Sequence, residues 1–196
     1  MGTPRVTPLE APYPEPVQAA LDRIMPAGVP PLALFRTLAR NERVFLRLMA
    51  GGLLDRGSIS LREREIVIDR TCARCGSEYE WGVHVAFFRE KAGLTAEQVT
   101  ATATGDPAAF PERERLLLRL VDALHDHAEV DDELWAALRE HWSEEQLIEL
   151  VALTGFYHLI SFATNALRIP LEPYGARLPR PGDGTRSRPA SPAARG

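Results

Sequence analysis

The sequence has only two cysteines, Cys72 and Cys75, among 196 residues. Two cysteines cannot build the disulfide framework of a small secreted domain, so they favour a reducing compartment. The chain also lacks a glycine-rich phosphate loop and an extended basic stripe, and its formal net charge is -4. It therefore has no broad electrostatic reason to bind a polyanion, and we expect no nucleic-acid partner.

The N-terminus also lacks the features of a secretory signal. Its first residues, MGTPRVTPLEAPYPEP, carry prolines and acids where a signal needs a basic flank and an apolar run. We therefore expect a cytoplasmic location. The stretch from Leu147 to Leu167 is apolar on most sides, but interspersed polar residues and three glutamates near its start disfavour contact with lipid. We predict no membrane partner and a central helix that touches another subunit, in a dimer, trimer or hexamer.

Runs of alternating β-branched residues, the signature of strands, are missing as well. Helical periodicity instead extends over residues 14–172, which predicts an all-α fold with about eight helices in one domain. Residues 1–13 are rich in proline, and residues 173–196 are rich in proline, glycine, serine and arginine. Such compositions predict flexible tails at both ends.

Three helix starts have a local signature, in which a serine or threonine is followed three residues later by Glu or Gln. This capping box satisfies backbone N–H groups that have no partner within the helix. The three pairs are Ser60 with Glu63, Thr95 with Gln98, and Ser143 with Gln146. The pattern further predicts a helix that ends near Gly93 and another that begins at Pro111 and Glu112.

Ionisable residues lie on the apolar faces of two neighbouring predicted helices. Glu65 shares a stripe with Leu61 and Cys72, while Glu80 and His84 share the face of the next helix. A buried carboxylate must pair, accept hydrogen bonds or take up a proton, so we expect Glu65, Glu80 and His84 to contact one another. Such a group suits proton transfer, although Glu and His four residues apart also form purely structural pairs.

The run EREIVIDRTCARCGSEYEWGVHVAFFREKAGL strongly resembles the core of the carboxymuconolactone decarboxylase family. The resemblance extends from about Leu61 to Val99 and continues more loosely through ELVALTGFYHLISFATNAL. It implies an alkylhydroperoxidase D-like helical bundle that forms oligomers. Relatives similar to alkylhydroperoxidase D carry E-x11-C-x2-C-x3-H, in which two cysteines reduce peroxide. With His84 as anchor, the glutamate falls on Glu65, but Ser77 and Glu80 replace the cysteines.

The EYEWGVH run is more similar to the decarboxylase branch, which implies a lyase without a cofactor. Its small-molecule substrate would be an organic acid or lactone that loses a carboxylate, a reaction that needs a proton donor at carbon. The resemblance implies His84 as the general acid, Glu80 as its orienting partner and Glu65 as support, with Ser77 and Trp81 lining the substrate pocket. Four basic residues are candidates for binding the substrate anion: Arg64, Arg70, Arg74 and Lys91.

Two alternatives remain at this stage. Cys72 and Cys75 form a C-x-x-C pair in which Arg74 and the next helix N-terminus could lower a thiol pKa, as a thiol peroxidase requires. Against this, Cys72 lies on the apolar stripe, where cysteine is usually inert. The other alternative is an oligomeric relative without catalysis. We predict no metal, because no second C-x-x-C or spaced His pair is nearby in the sequence. We interpret His125 and His127 as an exposed helix end, and His158 as a core histidine.

Overall fold

The computed structural model describes residues 3–26 and 28–179. Within these ranges the regular secondary structure is entirely helical, which confirms the predicted all-α class, with nine α-helices and one 3₁₀ turn at Pro107–Ala109. The helices are α1 (Glu15–Ile24), α2 (Ala33–Leu38), α3 (Glu42–Gly51), α4 (Leu61–Arg74), α5 (Glu78–Phe88), α6 (Ala96–Thr104), α7 (Glu112–His127), α8 (Asp132–Arg139) and α9 (Glu144–Leu167). The expected number was about eight. The six-residue α2 is too short to show a clear helical period.

All three capping boxes are present. Ser60 begins α4, Thr95 begins α6 and Ser143 begins α9, each with the reciprocal side-chain and backbone hydrogen bonds. The helix before Gly93 ends earlier than predicted, because α5 stops at Phe88 and the chain reaches Gly93 through turns. Gly93 has a φ of 64°, a left-handed conformation that glycine adopts without steric cost.

Two groups of buried apolar side chains form the interior. The larger core lies around α4, with Ile66, Val67 and Leu117 completely buried, and it includes residues of α7 and α9. The smaller core is built by α1, α2 and α3 and reaches Tyr79 on α5 and Ile160 on α9. Fully burying one such aliphatic side chain contributes about 1.5–3 kcal/mol. Helices α5 and α9 thus contribute to both cores.

The boundaries predicted for the tails fall inside segments that contact the helices. Arg5 donates its backbone N–H to the carbonyl of Leu167 at 3.0 Å. Near the other end, Ala176 donates to the carbonyl of Gly82 on α5, also at 3.0 Å. A Cβ on Gly82 would lie 2.3 Å from the Ala176 oxygen, so this approach requires glycine. The predicted C-terminal tail from residue 180 onward lies outside the described residues.

Helix α9 is the longest described helix, and of the described helices it is the one long and apolar enough to cross a bilayer by length and composition. In its most apolar 18-residue segment, 44% of the residues are buried inside the fold. A core helix of a protein that does not cross a membrane can have the same length and apolar composition. Eight of its residues are buried: Leu147, Leu150, Leu153, Thr154, Tyr157, Ile160, Ser161 and Thr164. Helix α9 is therefore a core helix with one exposed side.

Candidate active site

The candidate site is centred on His84, which α5 presents toward α4. The His84 ring is 3% exposed, and its Nδ1 lies 2.8 Å from Oε2 of Glu65, which is 1% exposed. Glu65 is in the second turn of α4, on the face that packs against α5. The structure thus brings together the two residues that the sequence resemblance aligns with the Glu and His of E-x11-C-x2-C-x3-H.

The opposite nitrogen of His84 faces two further oxygens. Tyr157 of α9 places its hydroxyl 3.0 Å from Nε2, and Oε1 of Glu80 lies 3.5 Å from the same nitrogen. The Tyr157 ring also packs edge-on against the imidazole, with centroids 5.0 Å apart. The predicted group of Glu65, Glu80 and His84 is therefore assembled, with Tyr157 as an additional member.

The imidazole carries a positive charge at neutral pH. Burial acts to lower the pKa of His84, but the charge and hydrogen bond of Glu65, with those of Glu80, outweigh it and raise the pKa to about 10. In the charged ring both nitrogens are donors, so Nδ1–H donates to Glu65 and Nε2–H donates to the oxygens beside it. The Tyr157 phenol stays neutral, since burial raises its pKa well above the usual value.

The two glutamates lie at different distances from the imidazole. Glu65, expected to support the pair, makes the short contact to Nδ1 and is itself held by Arg64, whose Nε donates to Oε1 at 2.9 Å. Glu80, expected to orient the ring, lies at the longer distance beside Nε2. The second Glu80 oxygen, Oε2, has no hydrogen-bond partner among the described residues. Glu65 therefore makes the shorter contact, at Nδ1, and Glu80 lies beside the opposite nitrogen.

Asp69 is a further buried carboxyl group that the sequence analysis did not identify. It follows Glu65 by one helical turn on α4 and is 1% exposed. Burial and the nearby Glu65 charge raise the pKa of Asp69 well above its ordinary value of 3.8. Its Oδ1 has no hydrogen-bond partner among the described residues. The i, i+4 spacing of two acids on an apolar face was the available sequence signal.

The Phe88 ring packs against the His84 imidazole. The two rings lie 5.3 Å apart between centroids, and Phe88 is half-buried. Two cations flank the Phe88 ring, with the Arg64 guanidinium carbon at 5.3 Å and the Lys91 nitrogen at 5.4 Å from its centroid. Of the four candidate anion-binding residues, these two therefore lie beside the cluster.

The other two candidate cations have carboxylate partners elsewhere. Arg70 pairs with Asp122 through two hydrogen bonds of 2.8 and 2.9 Å. Arg74 bonds Asp126 and also lies 3.5 Å from Asp122. Both arginines are thus engaged in ion pairs between α4 and α7.

The two residues predicted to line a substrate pocket make other contacts. Ser77 is fully buried, with its hydroxyl 2.8 Å from that of Thr164, and the Trp81 indole N–H donates to Thr102 at 3.1 Å. A surface pocket of about 470 Å³ is lined partly by Tyr79 and Thr164 rather than by the His84 ring. A pocket role for Ser77 and Trp81 stays a prediction.

Both cysteines are free thiols that are poorly set up for ionisation. Cys72 is 0% exposed, and burial, together with the charges of Glu80 and Asp69, raises its pKa well above the usual 9.0. Burial also raises the pKa of Cys75, although the Ser161 hydroxyl and Arg74 oppose this in part. The sequence suggested that Arg74 and the next helix lower a thiol pKa. The surroundings of the two cysteines instead raise both pKa values.

Two histidines have surroundings that differ from those expected. His125, interpreted as part of an exposed helix end, is half-buried and its Nδ1 lies 2.9 Å from Nε2 of His158. The same His125 nitrogen lies 3.9 Å from the sulfur of Cys75. His158, interpreted as a core histidine, is half-buried. Contacts across α4, α7 and α9 produce this group, and no local sequence pattern indicates them.

Comparison with known families and structures identifies the segment that carries this site. Residues 41–123 match the model of the carboxymuconolactone decarboxylase family, a range that includes Glu65, Glu80 and His84. No curated protein matches the chain.

The fold is shared with solved structures. An uncharacterized peroxidase-related protein with an alkylhydroperoxidase AhpD core, from Ralstonia eutropha JMP134, is 22% identical with a TM-score of 0.78, over 88% of this chain and 94% of the other. A peroxidase-related protein from Silicibacter sp. TM1040 is 17% identical with a TM-score of 0.76, over 91% and 100%. The debrominase Bmp8, as a cysteine-to-alanine variant in complex with 2,3,4-tribromopyrrole, is 21% identical with a TM-score of 0.68, over 89% and 94%. These likenesses show the predicted alkylhydroperoxidase D-like fold.

Proposed function

Because residues 41–123 place this chain in the carboxymuconolactone decarboxylase family, we propose that it is a cofactor-independent acid–base enzyme acting on a small organic acid or lactone. The observation that carries the proposal is the buried His84 imidazolium, held by Glu65 at 2.8 Å with its other nitrogen facing Tyr157 and Glu80. We also propose the cytoplasmic location that the sequence predicts.

His84 is the proton donor in this mechanism. When the substrate loses a carboxylate as carbon dioxide, the electrons of the broken C–C bond remain on the substrate as a dienolate. Nε2–H of His84 then donates its proton to carbon, and solvent returns a proton to the neutral imidazole. Glu65 holds Nδ1–H throughout and keeps the ring oriented. A positioned acid of this kind contributes about 10²- to 10⁴-fold in rate.

Access to His84 requires Phe88 to move. The half-buried Phe88 ring packs against the buried imidazole, and Arg64 and Lys91 lie over that ring. The two cations attract an anionic substrate to the entrance, and rotation of Phe88 admits it to Nε2. This arrangement favours a substrate with at least one carboxylate.

The second candidate function is a thiol peroxidase that uses Cys72 and Cys75. It has one favourable observation, since both residues of the C-x-x-C pair are free thiols. A peroxidase, however, needs a thiolate, and both thiol pKa values are raised rather than lowered. We therefore place acid–base catalysis first.

One set of variants separates the two functions. Carbon dioxide release from a panel of small γ-lactone carboxylic acids, and peroxide consumption with a dithiol reductant, are measured for the wild type, His84→Ala, Glu80→Gln and a double Cys72→Ser, Cys75→Ser variant. We expect the His84 and Glu80 variants to lose about 10²- to 10⁴-fold in kcat/KM for the lactone acid. The double cysteine variant should retain this activity.

The result that would reverse the ranking is equally specific. If the wild type consumes peroxide but releases no carbon dioxide, and the folded double cysteine variant loses the peroxide activity, the C-x-x-C pair is the active site. A folded protein inactive in both assays would support the non-catalytic relative.

A further inference from the structure

Three potential metal ligands from three helices meet in one half-buried group. Cys75 follows the last residue of α4, His125 lies in the last turn of α7, and His158 lies within α9. Their ligand atoms all lie within 4.8 Å of one another. None of the three belongs to the group around His84.

The hydrogen bond of the His158 ring to the backbone leaves one of its lone pairs facing the other ligand atoms. His158 Nδ1 lies 2.8 Å from the carbonyl oxygen of Thr154, and because a carbonyl only accepts, Nδ1 carries the proton. In the neutral ring Nε2 therefore presents a lone pair, which faces His125 Nδ1 at 2.9 Å. A proton on His125 Nδ1 can serve either that lone pair or the Cys75 sulfur at 3.9 Å. A cation bound between them would engage all three atoms.

The spacing fits a tetrahedral metal. Zinc with bonds of about 2.3 Å to sulfur and about 2.0 Å to nitrogen implies separations of about 3.5 Å between sulfur and nitrogen and about 3.3 Å between two nitrogens. The observed separations are 3.9 Å for Cys75 and His125, and 2.9 Å for the two histidines. Both pairs are thus within about 0.4 Å of the required separations, and the ligand atoms of the third pair, Cys75 and His158, lie within 4.8 Å of each other. The Thr154 carbonyl already fixes the His158 ring, as the outer partners of metal-bound histidines do.

The nearby charges also permit a cation. Arg74 is the adjacent positive group, and it is paired with Asp126 and Asp122. Asp122 also pairs with Arg70, so that two cations and two anions balance locally. Ionised Cys75 would then add one negative charge to the group.

From these observations we propose that Cys75, His125 and His158 form a binding site for a zinc-class divalent metal ion. Binding releases the thiol proton of Cys75 to solvent, and His125 binds through Nδ1 as the neutral imidazole that carries its proton on Nε2. Water takes the fourth position, since within the described residues the group holds three ligands. One thiolate and two imidazoles favour Zn²⁺ or Co²⁺ over Mg²⁺ or Ca²⁺, which prefer oxygen. The bound ion links the ends of α4 and α7 to α9.

The test uses Co²⁺ as the probe, because a thiolate bound to Co²⁺ gives a charge-transfer absorption. The full-length protein, reduced and stripped of metal, is titrated with Co²⁺ without oxygen and then with Zn²⁺. We expect one Co²⁺ per chain, a thiolate charge-transfer band, and displacement by Zn²⁺ but not by Mg²⁺. Zn²⁺ should also raise the Tm of the wild type.

Variants connect the band with the residues. Cys75→Ser should abolish the charge-transfer absorption, while His125→Asn and His158→Asn should weaken Co²⁺ binding by at least about 10-fold. Cys72→Ser and His127→Asn, which alter the other thiol and a nearby exposed histidine, should behave as wild type. Circular dichroism establishes that each variant is folded. The proposal is overturned if folded wild type binds no Co²⁺, if the band persists in Cys75→Ser, or if Cys72→Ser removes it.

Discussion

The chemistry of His84 depends on the few side chains that surround it. Burial alone would make its imidazole a weaker base, because a cation loses its hydration in the interior. Glu65 at 2.8 Å and Glu80 at 3.5 Å reverse this, and the pKa rises to about 10. The ring is therefore a buried cation between two carboxylates at neutral pH.

The raised pKa makes the stability of the protein depend on pH. A histidine that titrates near 6.5 in the unfolded chain and near 10 in the folded chain stabilises the fold fully below pH 6.5, and this contribution is lost as pH rises through about 10. We expect His84→Gln to lower the free energy of unfolding at pH 6.5 by on the order of a few kcal/mol. The difference from wild type should shrink toward pH 10, as measured by urea unfolding at several pH values.

His127→Gln is the matched control, because His127 is an exposed histidine on α7. Its unfolding free energy should follow that of wild type within a few tenths of a kcal/mol at each pH, as is usual for surface substitutions. A His84→Gln difference that stays constant between pH 6.5 and 10 would contradict the charged imidazole.

The sequence predicts part of the His84 cluster and misses part of it. Helical periodicity and the family resemblance both predict Glu65, Glu80 and His84 as members of the cluster. Neither predicts Tyr157, because it lies far along the chain on α9 and only packing brings its hydroxyl to Nε2 of His84. The unequal distances of Glu65 and Glu80 from the ring depend on how α4 packs against α5 and on side-chain conformations, which a periodicity does not contain.

At the scale of the helix, the capping boxes show how context changes one local motif. Glu63 caps α4 and also accepts hydrogen bonds from the Trp142 indole at 2.8 Å and from Arg113 at 2.7 Å. Burial works against its charge, but the Ser60 bonds, Trp142 and Arg113 more than offset this and lower the pKa of Glu63. Gln98 occupies the same position in the box of α6, and its amide reaches the carbonyl of Ala109 at 3.1 Å.

The two boxes should therefore respond differently to the same change. Gln98→Ala removes a partly exposed cap and should cost about 1 kcal/mol of unfolding free energy. Glu63→Ala also leaves the buried Trp142 N–H without its acceptor, and should cost about 2–4 kcal/mol. Equal losses for both variants in urea unfolding would show that the contacts of Glu63 beyond its own helix contribute nothing.

Helix starts were more predictable than helix ends. A capping box is contained within four residues, so the sequence shows it directly, and all three boxes are present. The end of α5 depends on where the chain must turn toward α6, and the helix stops at Phe88 although Gly93 is the recognisable signal. The contacts of the tails were equally hard to predict. Arg5 and Ala176 are held by backbone hydrogen bonds to distant helices, and composition does not show such bonds.

At the scale of the molecule, the exposed side of α9 supports the homo-oligomer expected from the sequence. Ile148 is 69% exposed and Phe162 is 64% exposed, with Val151 and Leu159 between them on the same helical stripe. We propose that this stripe is covered by a second copy of the chain. Sedimentation of the wild type should give a mass of at least twice the 21.7 kDa of one chain.

Phe162→Asp should shift that mass toward the monomer, because an aspartate would be desolvated in the contact. Leu54→Asp is the control, since Leu54 is exposed outside α9 and should leave the mass unchanged. A wild-type mass of one chain across a wide range of concentrations would contradict the oligomer.

The division of the interior into two cores predicts the order in which parts of the protein unfold. Helices α1, α2 and α3 bury their side chains in the smaller core, whereas α4 and α7 belong to the larger one. The first three helices can therefore detach as a cooperative unit while the larger core stays closed. In native-state hydrogen exchange, peptides from residues 15–51 should exchange before those from residues 61–74 and 112–127. Simultaneous exchange of all three would mean that the two cores unfold only together.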